Sequence, residues 1–384
     1  MSWKKAKLSE CCQSISDGDH QAPPKSNKGI PFVTISNIKD NSFDFTNCMH
    51  VPQSYYDNLL AKRKPQKGDI LYSAVGSFGI PVLMKENVKF TFQRHIAILR
   101  PNPHIVEPAY MYYSMLSKAF FLQADAAAIG AAQRTISLSS LQNLTINLPD
   151  LPTQRRIASI LSAYDDLIEN NRRQIKLLEE AAQRLYREWF VELRFPGHES
   201  VKVVDGVPEG WKIETVGSLL RKIPRTKQIL TSDYQVSGNI PIVDQSRDFI
   251  AGYTNDTDAC VKPQDAIIVF GDHTRILKYI TFPFAKGADG TQLIVSNSDC
   301  MPQSLFYFSI IHIDLTNYHY ARHFKYLKES TILVPTKSIA NAYDNIVHPI
   351  MKRIQVLRDS CVKAKEARDR LLPILMNREM EASE

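Results

Sequence analysis

Between Pro152 and Pro196 the chain runs without a glycine or a proline. Within this stretch Ile157, Tyr164, Asn171, Leu178 and Leu185 recur every seven residues. Leu161, Ile168, Ile175, Ala182 and Trp189 widen the stripe by one position. Apolar residues at that period mark one face of an amphipathic helix. The preceding LPDLP supplies prolines before a start, and Thr153 is the expected N-cap. A helix from Gln154 to Phe190 would be about 55 Å long at ~1.5 Å per residue. A helix of that length needs a second long helix to cover its stripe.

A second such pattern lies near the end, where Tyr343, Ile350, Leu357, Ala364 and Leu371 are also spaced by seven, with Ile354 on the same stripe. SILSAYDDLIENNRRQIKLL, from Ser159, aligns without a gap on SIANAYDNIVHPIMKRIQVL, from Ser338, with seven of twenty positions identical. Periodicity alone would match the apolar positions. It would not place SI and AYD at the same offset, so the chain contains an internal repeat. Pro349 breaks the parallel, because it removes a backbone donor, and it is expected to kink or interrupt the second helix.

The segments before the two helices echo one another as well. Trp3-Lys4 matches Trp211-Lys212, and KGDILYSAVGSFGI from Lys67 resembles PQDAIIVFGDHTRI from Pro263. Short apolar runs bounded by turn residues, such as IPFVTI, HIAIL and QLIVS, read as strands. The expected fold class is α+β. Two mixed α/β globular domains, 1–152 and 196–335, are joined by two long, antiparallel helices, 153–195 and 336–384, with a pseudo-twofold internal repeat.

With 384 residues, two or three domains are the natural expectation. The net charge of +7 permits a polyanionic partner without requiring one. Six cysteines include no CxxC pair, which argues against zinc, and no apolar run reaches membrane-spanning length. The expected setting is the cytoplasm, with reduced thiols and no membrane.

LPDLPTQRRIASILSAYDDLIENNRRQIKLLE resembles the central conserved region of the specificity subunits of type I restriction–modification systems. LYREWFVELRFPG followed by VPEGWK resembles that family's exit from the central helix, and ARDRLLPILMNREME its distal conserved region. Thr153 stands where the family most often has Glu. That departure touches a helix start. The resemblance implies two target-recognition domains, each reading half of a split sequence in double-stranded DNA. It implies that the helices carry two modification (methyltransferase) subunits, that restriction/translocase subunits are recruited to that assembly, and that S-adenosylmethionine belongs to the methyltransferase, with no cofactor on this chain.

Candidate DNA contacts fall in both domains. Lys62, Arg63 and Lys64 form a basic run suited to phosphates. Gly76 and Ser77 sit in a glycine turn, and Arg94 follows a short apolar run. GAAQRTISL offers Gln133, Arg134 and Thr135, the preferred reader loop, because Gln pairs bidentately with adenine and Arg with guanine. The second domain offers His273, Thr274, Arg275 and Lys278 at a strand-turn-strand junction, then Thr291 and Gln292. NYHYARHFKYLKES interleaves Tyr320, Arg322, His323 and Lys325 with further aromatics. A surface helix with its aromatics packed inward is the plainer alternative for that segment.

An enzyme reading finds little support. The only Pro-Pro pair, Pro23-Pro24, lacks the flanks of an adenine-methyltransferase loop, and neither a P-loop nor an HExxH motif occurs. The expectation is a non-catalytic subunit. The competing class is a structural adaptor, a helical rod linking protein partners with incidental DNA contact.

Overall fold

The computed structural model describes residues 3–131, 133–224, 226–287, 290–316 and 322–377. By contact the chain divides into two compact units: Met1–Glu169 with Cys361–Glu384, and Asn170–Ser360. Each unit takes one globular part and a portion of each long helix.

In the first unit β1 (Lys4–Lys7) pairs antiparallel with the last strand of the globe, Thr145–Leu148, closing the globe at its own start. β2 (Cys12–Asp17), β3 (Ile30–Val33), β4 (Met49–Val51), β5 (Ile70–Ser73), β6 (Pro81–Leu83), β7 (Thr91–Phe92) and β8 (Ile96–Pro101) follow. One sheet has the order β2-β8-β5-β6, and in a second β3 lies between β4 and β7. α1 (Pro108–Leu116), α2 (Lys118–Ala127) and α3 (Leu138–Asn143) then lead to β9 (Thr145–Leu148). β5 is buried on both faces, which accounts for its continuous apolar run rather than an alternating one.

The second unit repeats this order. β10 (Lys212–Thr215) pairs antiparallel with Thr331–Val334, the strand before the last helix. β11 (Ile240–Val243), β12 (Gly252–Thr254), β13 (Ile267–Gly271), β14 (Leu277–Ile280), β15 (Phe284–Gly287) and β16 (Thr291–Ile294) follow. β13 lies between β14 and β16, as β5 lies between β6 and β8. β11 pairs antiparallel with β12 and parallel with β15, as β3 does with β4 and β7. β3 reads IPFV and β11 reads IPIV, with the same alternation of burial. α5 (Gln303–Ile311), α6 (His323–Glu329) and β17 (Thr331–Val334) complete the globe. The repeat therefore extends well beyond the helices in which it is easiest to read.

The long helices are α4 (Leu151–Tyr186), which passes into a π-turn at Arg187–Val191, and α7 (Lys337–Met376). Within the first unit Asp165 pairs with Arg368, and the Ile168 carbonyl accepts from Cys361. Within the second, Asn171 Nδ2 donates to Ser360 Oγ at 3.0 Å, and Arg358 meets Glu179 at 2.7 Å. One helix's numbers rise as the other's fall, so the two run antiparallel in each unit. Ile157, Leu161, Ile168, Tyr343, Ile354 and Leu357 are buried, and Tyr164, Ile175, Leu178, Leu185, Ile350 and Leu371 are half-buried. Asn171 is a buried polar residue on the stripe, and Ser360 satisfies it.

Two expectations about these helices need correction. Thr153 is not the cap. Asp150 is, because its Oδ1 accepts the Thr153 N–H at 3.0 Å, and the Thr153 hydroxyl together with this N–H holds its carboxyl below the usual value. Pro149 precedes the cap, and Pro152 sits in the first turn, where its missing N–H costs nothing. Pro349 does not interrupt α7, which runs through it unbroken. Pro349 and Asn345, whose carbonyl loses its donor, are both exposed, so water can take that acceptor. Tyr343, Val347, Met351 and Ile354 hold the opposite face in the core.

Candidate nucleic-acid interface

In the first unit three loops meet beyond the end of β5. The Ala74 N–H donates to the His95 carbonyl at 2.8 Å, the Gly76 N–H to the Arg134 carbonyl at 3.2 Å, and the Ile136 N–H to the Ala74 carbonyl at 2.9 Å. Thr135 bridges both Val75 and Ile129. Gly76, Ser77, Arg94, Gln133, Arg134 and Thr135 are thus brought together from segments far apart in the sequence. Gly76, Ser77, Arg94 and Gln133 are exposed. The tight turn beneath Gln133 needs Gly130, which has φ +91°, and a Cβ there would lie 2.5 Å from the Gln133 carbonyl oxygen.

Arg134 is engaged within the fold. Its Nε and Nη2 both meet Asp125 Oδ1, at 3.0 and 2.7 Å, and Nη2 also reaches the Asp125 carbonyl. Two donors converging on one carboxylate oxygen tie the loop to the end of α2 and engage the guanidinium fork. Gln133 is exposed next to this pair, with its Nε2 close to Gly76.

The basic run is anchored from below. Arg100 pairs with Asp69 through Nε and Nη2, at 2.9 and 2.8 Å, and Nη2 also donates to the Lys64 carbonyl at 3.0 Å. Asp69 is 1% exposed. Arg63 is half-buried against Asp17 and Asp19, at 3.5 and 3.9 Å. Asp19 in turn accepts from buried Thr91 at 3.0 Å, and its carbonyl accepts the Arg94 N–H at 3.0 Å. Lys62 is exposed and Lys64 half-buried, so the run is one exposed lysine on a fixed turn rather than three solvated cations.

The second unit assembles loops at the equivalent end of β13. Asp272, 4% exposed, accepts the Phe324 N–H on Oδ1 at 2.7 Å. Its carbonyl accepts from His323 Nδ1 at 2.7 Å and from the His323 N–H at 3.1 Å. Asp272 therefore caps α6 and joins it to the hairpin. His273, Thr274 and Arg275 form the exposed tip. Arg275 has φ +62°, a left-handed conformation uncommon for a non-glycine residue, and its Nη1 donates to the Leu315 carbonyl at 3.2 Å. Arg322, at the N-cap of α6, and Lys325, within it, are exposed, while Phe324 and Tyr326 are half-buried. The plainer reading of the aromatic residues thus holds for these two, and Tyr320 lies outside the described residues.

Three candidates point inward. Thr291 is 1% exposed, His323 7% and Lys278 4%. Lys278 Nζ donates to the Asp244 and Asp248 carbonyls, and burial lowers its ammonium from the ordinary lysine value. Gln292 is half-buried in β16. The loop that Lys278 holds, Asp244–Asp248, went unnoticed in the sequence. The signal was there: IPFVTISN and IPIVDQSR align the turn after β3 with the turn after β11. Among the described residues no cluster of His, Cys, Asp or Glu could hold a metal ion, and no helix is long and apolar enough to cross a membrane.

Residues 2–180 match the model of the type I restriction modification DNA specificity domain. The MjaIX specificity subunit of Methanocaldococcus jannaschii, a type I restriction enzyme component, is 24% identical over 343 residues, covering 83% of this chain and 79% of that relative. The HindI specificity subunit of Haemophilus influenzae is 27% identical over 198 residues, half of this chain and 41% of that one. A provisionally named MjaX specificity subunit, also from M. jannaschii, is 28% identical, and the match spans about half its length (52%). The crystal structure of a type I restriction-modification S subunit from M. genitalium shares the fold, with a TM-score of 0.63 over 97% of this chain and 96% of that one at 16% identity. Over residues 2–180 the chain matches that family model, and over most of its length it is similar to the specificity subunits of type I restriction enzymes.

Proposed function

We propose that the chain is the sequence-recognition subunit of a type I restriction–modification complex, reading a split site in duplex DNA with one half-site for each unit. The observation that carries this is the duplicated end of β5 and β13, where each unit gathers exposed polar and cationic side chains on loops held by internal hydrogen bonds. Such loops suit base edges, and flanking cations suit phosphates. The chain is non-catalytic. Adenine methylation and S-adenosylmethionine belong to the modification subunits it carries, and restriction subunits join through that assembly.

The long helices support a pair of like partners. Leu167 and Ile346 are equivalent in the repeat, and both are exposed, at 43% and 45%. Leu177 and Val356 are likewise equivalent, at 64% and 55%. Exposed apolar residues that recur in register suit two copies of one protein, each covering one set.

Binding of the assembled complex to duplexes altered in either half-site tests this reading. Gln133→Ala should weaken recognition of one half-site by about 1–3 kcal/mol per lost bidentate contact, and Arg275→Ala that of the other. Lys325→Ala should weaken all sequences alike and reduce the salt slope by about one. If all three variants lose affinity equally for every duplex, the adaptor reading with incidental DNA contact is the better one.

A further inference from the structure

Lys278 stands out because the same fold works without it. It lies opposite Val269 in the β13–β14 hairpin. In the first unit the equivalent position is Val82, opposite Leu71 and buried in the local apolar core. A buried ammonium is costly, and an apolar side chain of similar size is often as stable or more so. Lys278 instead joins the two ends of one loop. Its Nζ lies 2.8 Å from the Asp244 carbonyl, donates also to the Asp248 carbonyl, and lies 3.8 Å from Asp244 Oδ1.

That loop is fitted against the hairpin tip. The Gln245 carbonyl accepts from Thr274 Oγ1 at 2.6 Å, and Gln245 Oε1 accepts the His273 N–H at 3.2 Å. Asp244 Oδ1 accepts the Ser246 N–H at 2.9 Å. A Cβ at Gly271 would lie 2.2 Å from Thr274 Oγ1 and 2.8 Å from Gln245 Cβ, so the two loops leave no room to shift. Arg247 and Asp248 are exposed on this loop, which Gln245 fastens to His273 and Thr274.

We propose that Asp244–Asp248 is a third reading segment of the second unit, with exposed Arg247 facing DNA, Gln245 seating the segment on the hairpin tip, and Lys278 its positioning residue. This rests on the reading of the second unit as a half-site reader. Arg247 brings a guanidinium for guanine or phosphate.

The test uses the complete complex with its methyltransferase partner and S-adenosylmethionine, acting on a DNA library randomised at both half-sites, with the methylated sites sequenced. Lys278→Met should lower base preference at one or more positions of one half-site by at least about tenfold, the scale of ~1.4 kcal/mol, and leave the other half-site unchanged. Lys278→Arg, which keeps charge and donors, should restore preference. Unchanged preference at both half-sites in Lys278→Met would overturn the proposal. If that variant loses its cooperative thermal transition, Gln245→Ala and Arg247→Ala decide: relaxed preference at the same half-site supports the proposal, and full preference in both overturns it. If the unmodified complex itself shows no split-site preference, the underlying reading fails instead.

Discussion

Replacing Asp69 by alanine should destabilise the first unit by about 3–5 kcal/mol, the usual cost of removing one partner from a buried ion pair. Asp69 is 1% exposed, and the Arg100 side chain 16%. Without the carboxylate the guanidinium keeps its bonds to the Lys64 and Ala61 carbonyls but loses both charged contacts. The Gln66 N–H loses its acceptor as well. Thermal unfolding should shift down by roughly 6–20 °C for a unit of this size. The turn carrying Lys62 would be released with it, so half-site affinity should fall even below the transition. A shift of only a degree or two in calorimetry would show that the pair is solvated and that the turn is held by other means.

The second large effect is expected at Asp272. Asp272→Ala removes the cap of α6 and leaves the Phe324 N–H without its acceptor, at a cost of about 2–4 kcal/mol. Because α6 carries Lys325 and starts at Arg322, its N-cap, and Asp272 is the first residue of the hairpin turn, recognition by the second unit should be lost while that by the first persists. Asp272→Asn keeps an oxygen that can accept from Phe324, so it should recover most of the stability. Equal loss in both variants would assign Asp272 a role that needs its charge rather than its capping geometry.

The sequence made some parts of this molecule plain and hid others for physical reasons. The helices were legible because an apolar period of seven over so many residues has few other solutions. The duplication was legible at Ser159 and Ser338, where polar and apolar identities coincide. The helix start was misplaced by three residues, since Thr153 and Asp150 are both good caps by composition and only the hydrogen bond separates them. Pro349 misled because its cost depends on whether Asn345 faces water, which a sequence pattern does not record.

At the interface the sequence found the segments but not the direction in which side chains point. Lys278 and His323 sit in strongly basic surroundings and read as DNA contacts, yet both turn inward to carbonyl oxygens. Arg134 was chosen for its fork, and Asp125 uses that fork. In each case the deciding partner is a backbone oxygen or a carboxylate supplied by another segment. The loop at Gln245 was overlooked because neither its charge nor its composition differs from an ordinary turn, and only comparison with Thr34–Asn37 marks it.

The most direct test is the methylation pattern laid down in cells that carry this chain together with its methyltransferase partner and no other such system. Two half-sites separated by a fixed, non-specific spacer, with adenine methylated in each, is the predicted result. A single contiguous motif, or no sequence-dependent methylation, would contradict the account.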